Sequence, residues 1–102
     1  MSQYRRPVVA FDVDGTLIGE NDAPREEIIS ILRLLVPWCT VIVWSGCGTD
    51  YARMTGLRLG LPPEVHYRPK GWPADITFDD AEVNLGTVNV KVGEHGNDND
   101  AE

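Results

Sequence analysis

Two aspartates separated by one residue, Asp12 and Asp14, come directly after a short apolar segment, and Gly15 follows them. Carboxylates can bind a divalent cation or transfer protons, and a glycine at this point lets the chain turn sharply toward a ligand. A calcium loop of the EF-hand type would need a glycine at position 17 and a glutamate at position 23, where this chain has Leu17 and Ala23. A simple turn and a catalytic or metal-binding loop are the interpretations that remain.

Two other polar sites follow apolar segments in the same way. Ser45 comes after the β-branched and aromatic run 40–44, and the acidic pair Asp79 and Asp80 closes the run 75–78. If these runs are parallel strands, Asp12, Ser45 and Asp79 all emerge at the carboxyl edge of one sheet, where ligands bind in open α/β folds. The sequence therefore predicts one shared site.

The elements that would position these residues alternate between strand and helix. Apolar runs predict strands, and apolar residues at helical spacing predict helices. The predicted strands are 7–11, 40–44, 65–67, 75–78 and 87–92, and the predicted helices are 24–36 and 49–59. The segment between Tyr67 and Asp75 is too short for a helix, so we expect a loop crossover there.

This pattern predicts an α/β fold: a three-layer, Rossmann-like parallel sheet of about five strands, with helices on both faces and no cap domain. Residues 1–92 are expected to form one domain. Residues 93–102 are polar and acidic and are expected to be disordered. Trp38 and Trp44 are assigned to the core.

The polar motifs, taken in order, resemble those of the haloacid dehalogenase-like superfamily, whose members are mostly magnesium-dependent phosphatases. The segment 12–16, Asp-Val-Asp-Gly-Thr, resembles its motif I (DxDGT). Ser45 after an apolar strand resembles motif II, Lys70 resembles motif III, and Asp79-Asp80 resembles motif IV. The match covers residues 8–80, and an acid at position 14 resembles the phosphatases rather than the dehalogenases or transport ATPases of this superfamily.

The resemblance implies a role for each matched residue. Asp12 would be the nucleophile that forms an aspartyl-phosphate, and Asp14 the general acid and base, oriented by Thr16. Lys70 would be catalytic and would bind phosphate; Arg68 is the substitute if Lys70 is misplaced. The other implied phosphate-binding residues are Ser45 and Gly46. The implied ligands of Mg²⁺ are Asp12, the main-chain carbonyl of Asp14, Asp79 and Asp80.

The resulting prediction is a capless hydrolase of phosphate monoesters. Only residues 17–23 are available for a flap, so the substrate is expected to be small or to enter an open site, and a second copy of the chain could supply a lid. One alternative is a nucleic-acid end-processing (3′-phosphate) phosphatase. Another is a catalytically silent module that binds phosphate or metal.

Composition and charge restrict partners and location. The formal charge is −7, with four acids in residues 93–102, so a basic surface for nucleic acid is not expected, although a nucleic-acid substrate stays possible. No apolar run approaches the roughly 20 residues of a transmembrane helix. We therefore expect a cytoplasmic protein. Cys39 and Cys47 flank a predicted strand and are expected to be free thiols, with Cys47 buried.

Overall fold

The computed structural model describes residues 5–93, and the predicted disordered tail therefore lies, apart from Gly93, outside the described residues. The strands are β1 (Val8–Asp12), β2 (Thr40–Trp44), β3 (His66–Tyr67), β4 (Ile76–Asp79) and β5 (Val88–Lys91). The helices are α1 (Glu26–Leu35) and α2 (Thr49–Leu59), and a short 3₁₀ turn spans Glu20–Asp22. In the part of the chain that the structure describes, no helix is long and apolar enough to cross a bilayer.

The five strands form one sheet in the order β3-β2-β1-β4-β5, and every neighbouring pair is parallel. The predicted α/β fold with an all-parallel sheet of about five strands is confirmed. Over residues 5–93 it is consistent with a Rossmann-like three-layer arrangement, and no cap is present in this range. β1 lies at the centre, so it hydrogen-bonds to β2 on one side and β4 on the other.

The main core lies between the sheet and the two helices. Val9 and Phe11 of β1 join one apolar cluster with Leu32 of α1 and Ala52 of α2. Phe11 also stacks on Phe78 of β4, with ring centroids 4.6 Å apart. Both helices therefore cover the same face, because two successive crossovers in the same direction of the sheet return on the same side.

The opposite face is covered by a loop, so the prediction of helices on both faces needs this refinement. Ala10, Ile42 and Trp44 form a second cluster there, and Ala74 of the β3–β4 crossover packs against it. The crossover has no helix, as its length predicted. Trp44 is fully buried as expected, but Trp38 is 75% exposed, because it follows the end of α1 in a turn and does not reach the core.

The β4–β5 connection, residues 80–87, also lacks a helix, and Asn89 of β5 holds it in place. The Asn89 side-chain oxygen accepts hydrogen bonds from the Leu85 and Gly86 N–H groups and from the Thr77 hydroxyl. Its amide nitrogen donates to the Gly86 carbonyl at 2.8 Å. A single side chain therefore takes the place of the helix that usually accompanies such a crossover.

Candidate functional site

Three acidic side chains meet at the carboxyl edge of the sheet. Asp12 ends β1 and Asp79 ends β4, and these two strands are direct neighbours. One oxygen from each of Asp12, Asp79 and Asp80 lies within 4.8 Å of the others. Asp12 is 6% exposed and Asp79 is 1% exposed, whereas Asp80 faces solvent. The convergence that the sequence predicted for these residues is present in the structure.

Gly15 is needed where the chain turns after β1. It has a φ of +85°, which favours glycine, and a β-carbon at this position would collide with the Asp80 carboxylate. The turn itself is held by main-chain bonds, since the Thr16, Leu17 and Ile18 N–H groups all donate to the Val13 carbonyl. The glycine therefore lets the acidic residue after β4 approach the loop after β1.

Lys70 lies between the two buried acids. Its Nζ is 3.2 Å from Asp12 Oδ1 and 2.9 Å from Asp79 Oδ2. The loop crossover therefore brings Lys70 to the acidic cluster. Arg68, the suggested substitute, stacks instead on the Trp72 ring at 5.4 Å and donates to the Tyr67 carbonyl.

Burial, together with the crowding of negative charge, changes the protonation of this cluster. Burial, and next the charge of Asp79, raise the pKa of Asp12 to about 6, although Lys70 acts in the opposite direction. Burial is also the largest cause of the raised pKa of Asp80, followed by its hydrogen bond with Asp79. Burial alone would lower the pKa of Lys70, but its contacts with Asp79 and Asp12 outweigh burial and raise it. The acids outnumber the ammonium group beside them, so a further cation would be electrostatically favoured here.

The donor set fits a hard divalent cation. Mg²⁺ prefers oxygen ligands and is usually bound by one or two carboxylates while it keeps several waters. Asp12, Asp79 and Asp80 supply carboxylate oxygens at one point, and one side of the cluster is open to solvent through Asp80. Oxygen donors of this kind are also used by Ca²⁺ and Mn²⁺, so the cluster by itself does not select Mg²⁺.

Asp14 follows β1 and is exposed, and its side chain bonds to a residue that the sequence did not indicate. The Tyr51 hydroxyl on α2 donates to Asp14 Oδ1 at 2.8 Å, and this bond is the largest cause of the raised pKa of Tyr51. Thr16 was expected to orient Asp14, but its hydroxyl is buried without a hydrogen-bond partner among the described residues. The orienting contact therefore comes from Tyr51.

Ser45 and Gly46 follow β2 at the same edge of the sheet. Ser45 is buried, and its hydroxyl oxygen accepts a bond from the Cys47 N–H at 2.9 Å, which leaves the hydroxyl proton free to be donated. Nothing lies within 4 Å of the space where Gly46 would carry a β-carbon. Gly46 thus borders open space, whereas the Ser45 side chain is almost completely covered. Cys47 is exposed, contrary to expectation, and both thiols are free as predicted.

Arg25 is a second residue that the sequence did not indicate. Its guanidinium is buried and donates to the Gly15 carbonyl at 2.9 Å, to the Gly93 carbonyl at 2.6 Å and to the Glu27 carboxylate. It therefore joins the turn after β1 to the end of the described chain. An arginine in the first turn of a predicted helix gives no signal for this role, because arginine is common on exposed surfaces.

The site thus combines three convergent carboxylates, one ammonium group and one exposed carboxylate held by a phenol. This arrangement can hold a cation, present a carboxylate nucleophile and transfer a proton. Comparison of the chain with protein-family models, with curated proteins and with solved structures gives no match in any of the three.

Proposed function

We propose that this protein is a magnesium-dependent hydrolase of phosphate monoesters, acting through an aspartyl-phosphate on Asp12, and that it belongs to the haloacid dehalogenase-like superfamily. The observation that carries the proposal is that Asp12, Asp79 and Asp80 meet at one point, where Lys70 contacts Asp12 and Asp79, with Asp14 two residues after Asp12 in the chain. These are the residues whose order along the chain resembles the superfamily's motifs.

In the first step, an Asp12 oxygen attacks phosphorus while the bond between phosphorus and the ester oxygen breaks. Asp14, in its protonated form, gives its proton to that oxygen, so the product leaves as a neutral alcohol. Lys70 Nζ, already 3.2 Å from Asp12, offers positive charge to the phosphoryl oxygens. The Ser45 hydroxyl and the Gly46 N–H supply further hydrogen bonds.

In the second step, Asp14 is a carboxylate and takes a proton from water. The water oxygen bonds to phosphorus, the bond to Asp12 breaks, and inorganic phosphate is released. Both products are accounted for, and Asp12 and Asp14 return to their initial states. Splitting the displacement into two steps lets one carboxylate attack and the other handle the proton in each.

Asp12, Asp79 and Asp80, with the Asp14 carbonyl, are the residues that would hold Mg²⁺. When bound, the cation would neutralise charge on the phosphate and the acids. The free thiols Cys39 and Cys47 fit a reducing compartment, and we propose the cytoplasm as the place of action.

The substrate proposed is a small phosphate ester or one that reaches an open site. Within residues 5–93, Lys70 is the basic side chain in contact with the buried acids, and the chain as a whole is acidic, so a long polyanion is disfavoured. An oligonucleotide with a 3′-terminal phosphate is included in the substrate panel to test the alternative, a nucleic-acid end-processing phosphatase.

The test is phosphate release from a panel of aryl, sugar and oligonucleotide phosphates by the full chain, with Mg²⁺ and with EDTA. Asp12→Asn should reduce turnover by at least about 10³-fold, because the amide is not a nucleophile. An acid-quenched reaction of the parent should yield a phosphorylated peptide that contains Asp12. Glu64→Gln, an exposed acid at the opposite edge of the sheet, is the matched control and should keep full turnover.

Circular dichroism and urea unfolding show whether Asp12→Asn keeps its fold. Unchanged turnover in a folded Asp12→Asn protein would refute the assignment of the nucleophile. Tight binding of Mg²⁺ or phosphate by a parent protein without turnover on the panel would favour the silent binding module instead.

A further inference from the structure

Tyr51 lies in the first turn of α2, at the edge of the sheet that carries the acids. Its ring is half-buried and packs against the main apolar cluster, so the position of the ring is set by the core. Its hydroxyl extends beyond that cluster and donates to Asp14 Oδ1 at 2.8 Å. The phenol is therefore a rigid donor aimed at one oxygen of one carboxylate.

Asp14 depends on this contact. Its main chain is fixed by a bridge to Ile18, but its side chain is exposed, and an exposed carboxylate is free to change rotamer. Among the described residues, Tyr51 is the side chain that forms a hydrogen bond with the Asp14 carboxylate. The Thr16 hydroxyl is buried and forms no bond to Asp14. The direction of the Asp14 carboxylate is therefore set by Tyr51.

We infer that Tyr51 is a positioning residue for proton transfer by Asp14, an inference that rests on the proposed function. Because Tyr51 donates to Oδ1, the second oxygen, Oδ2, is the one that carries the proton in the first step. Oδ2 gives this proton to the ester oxygen as the bond to phosphorus breaks, and takes one from water in the second step. Tyr51 keeps its own proton throughout.

The role predicts an effect that depends on the leaving group. A para-nitrophenolate leaves readily without a proton, whereas an alkoxide needs one, so only the alkyl ester depends strongly on the direction of Asp14. Tyr51→Phe keeps the packed ring and removes the hydroxyl. It should reduce kcat for an alkyl phosphate by about 10- to 100-fold and kcat for para-nitrophenyl phosphate by less than about threefold. KM for both esters should stay nearly unchanged.

Two controls separate positioning from packing. Tyr67→Phe removes a hydroxyl from another half-buried ring of the same core, one that lies against Gly56 rather than Asp14, and should leave both rates unchanged. In an Asp14→Asn background, Tyr51→Phe should cause no further loss, because residues that act as a unit are not additive.

Three outcomes would overturn the inference while the proposed function stands. Tyr51→Phe could reduce the rates for both esters equally, it could cause a further loss in the Asp14→Asn background, or it could leave both rates as unchanged as Tyr67→Phe does. A parent protein that hydrolyses neither ester would overturn the proposed function, and the inference with it.

Discussion

Lys70 contacts two carboxylates that come from distant parts of the chain, Asp12 on β1 and Asp79 on β4. Both acids are buried, so each would be costly to keep charged without a partner. The ammonium group therefore stabilises the edge of the sheet as well as serving the proposed chemistry. These two roles can be separated by measuring stability with and without a metal.

Lys70→Met should lower the free energy of unfolding by roughly 1–3 kcal/mol in EDTA, because two buried acids lose their cationic partner. Added Mg²⁺ should restore part of this loss, so its stabilising effect should be larger for the variant than for the parent. Urea unfolding in EDTA and in MgCl₂ measures both quantities. Lys91→Met, which removes the exposed lysine of β5, is the control. Equal Mg²⁺ effects on all three proteins would argue against a cation site at these acids.

At the residue scale, the sequence predicts the convergence of Asp12, Ser45 and Asp79 because parallel strands bring their carboxyl ends to one edge. It does not predict Tyr51 or Arg25, since their contacts depend on how α2 and the turn before α1 are rotated against the sheet. Thr16 was assigned to Asp14 from a motif alone. The Thr16 side chain is instead fully buried, and a sequence motif does not specify which way a side chain points.

At the scale of elements, the two crossovers on the β4 side of the sheet are loops that rely on single side chains. Asp75 anchors the first: its carboxylate accepts hydrogen bonds from the Val8 N–H at 2.7 Å and from both terminal nitrogens of Arg5 at 3.0 Å. These bonds join the start of β4 to the start of β1. The pKa of Asp75 is lowered, mainly by the hydrogen bond from Arg5 and next by the hydrogen bond from the Val8 N–H.

Asp75→Asn should therefore lower stability at neutral pH and should matter less in acid. A carboxyl group whose pKa is lower in the folded state contributes stability above its unfolded pKa of about 3.9, and that stability is lost as the pH falls through the folded value. The difference in urea midpoint between parent and variant should thus shrink below about pH 4. Glu64→Gln, which removes the charge of another exposed acid, is the control for the loss of one surface charge. A difference that is independent of pH would contradict this account.

The elements themselves follow from local pattern more closely than their surroundings do. The β5 strand was expected at 87–92 as a half-exposed edge, and it spans Val88–Lys91. In the structure Val88 and Val90 pair with Ile76 and Phe78 of β4, yet the side chains of both valines stay exposed. The alternation of apolar and polar residues in β5 does not predict this exposure. The tendency to form a strand depends on local sequence, whereas the burial of a strand depends on whether α1 and α2 extend over it.

At the scale of the whole molecule, the formal charge of −7 opposes the approach of an anionic substrate. At saturating Mg²⁺, KM for a phosphate ester should fall roughly twofold when NaCl rises from about 0.01 M to about 0.15 M, because the Debye length shortens from about 30 Å to about 8 Å. Initial rates at each salt concentration measure this. Sucrose at equal osmolality is the uncharged control, and a KM that rises with salt would indicate a cationic substrate channel.

The central position of β1 has a consequence for synthesis on the ribosome. β1 emerges first, but one of its two hydrogen-bonding partners, β4, spans Ile76–Asp79 and emerges late. A nascent chain must keep that edge of β1 unpaired, and a pairing between distant segments forms slowly. Since Asp12 and Asp79 come from these two strands, the acidic cluster is among the last features to assemble. A partly translated chain therefore cannot present the proposed cation site, and any binding of metal there would have to follow the pairing of β4 with β1.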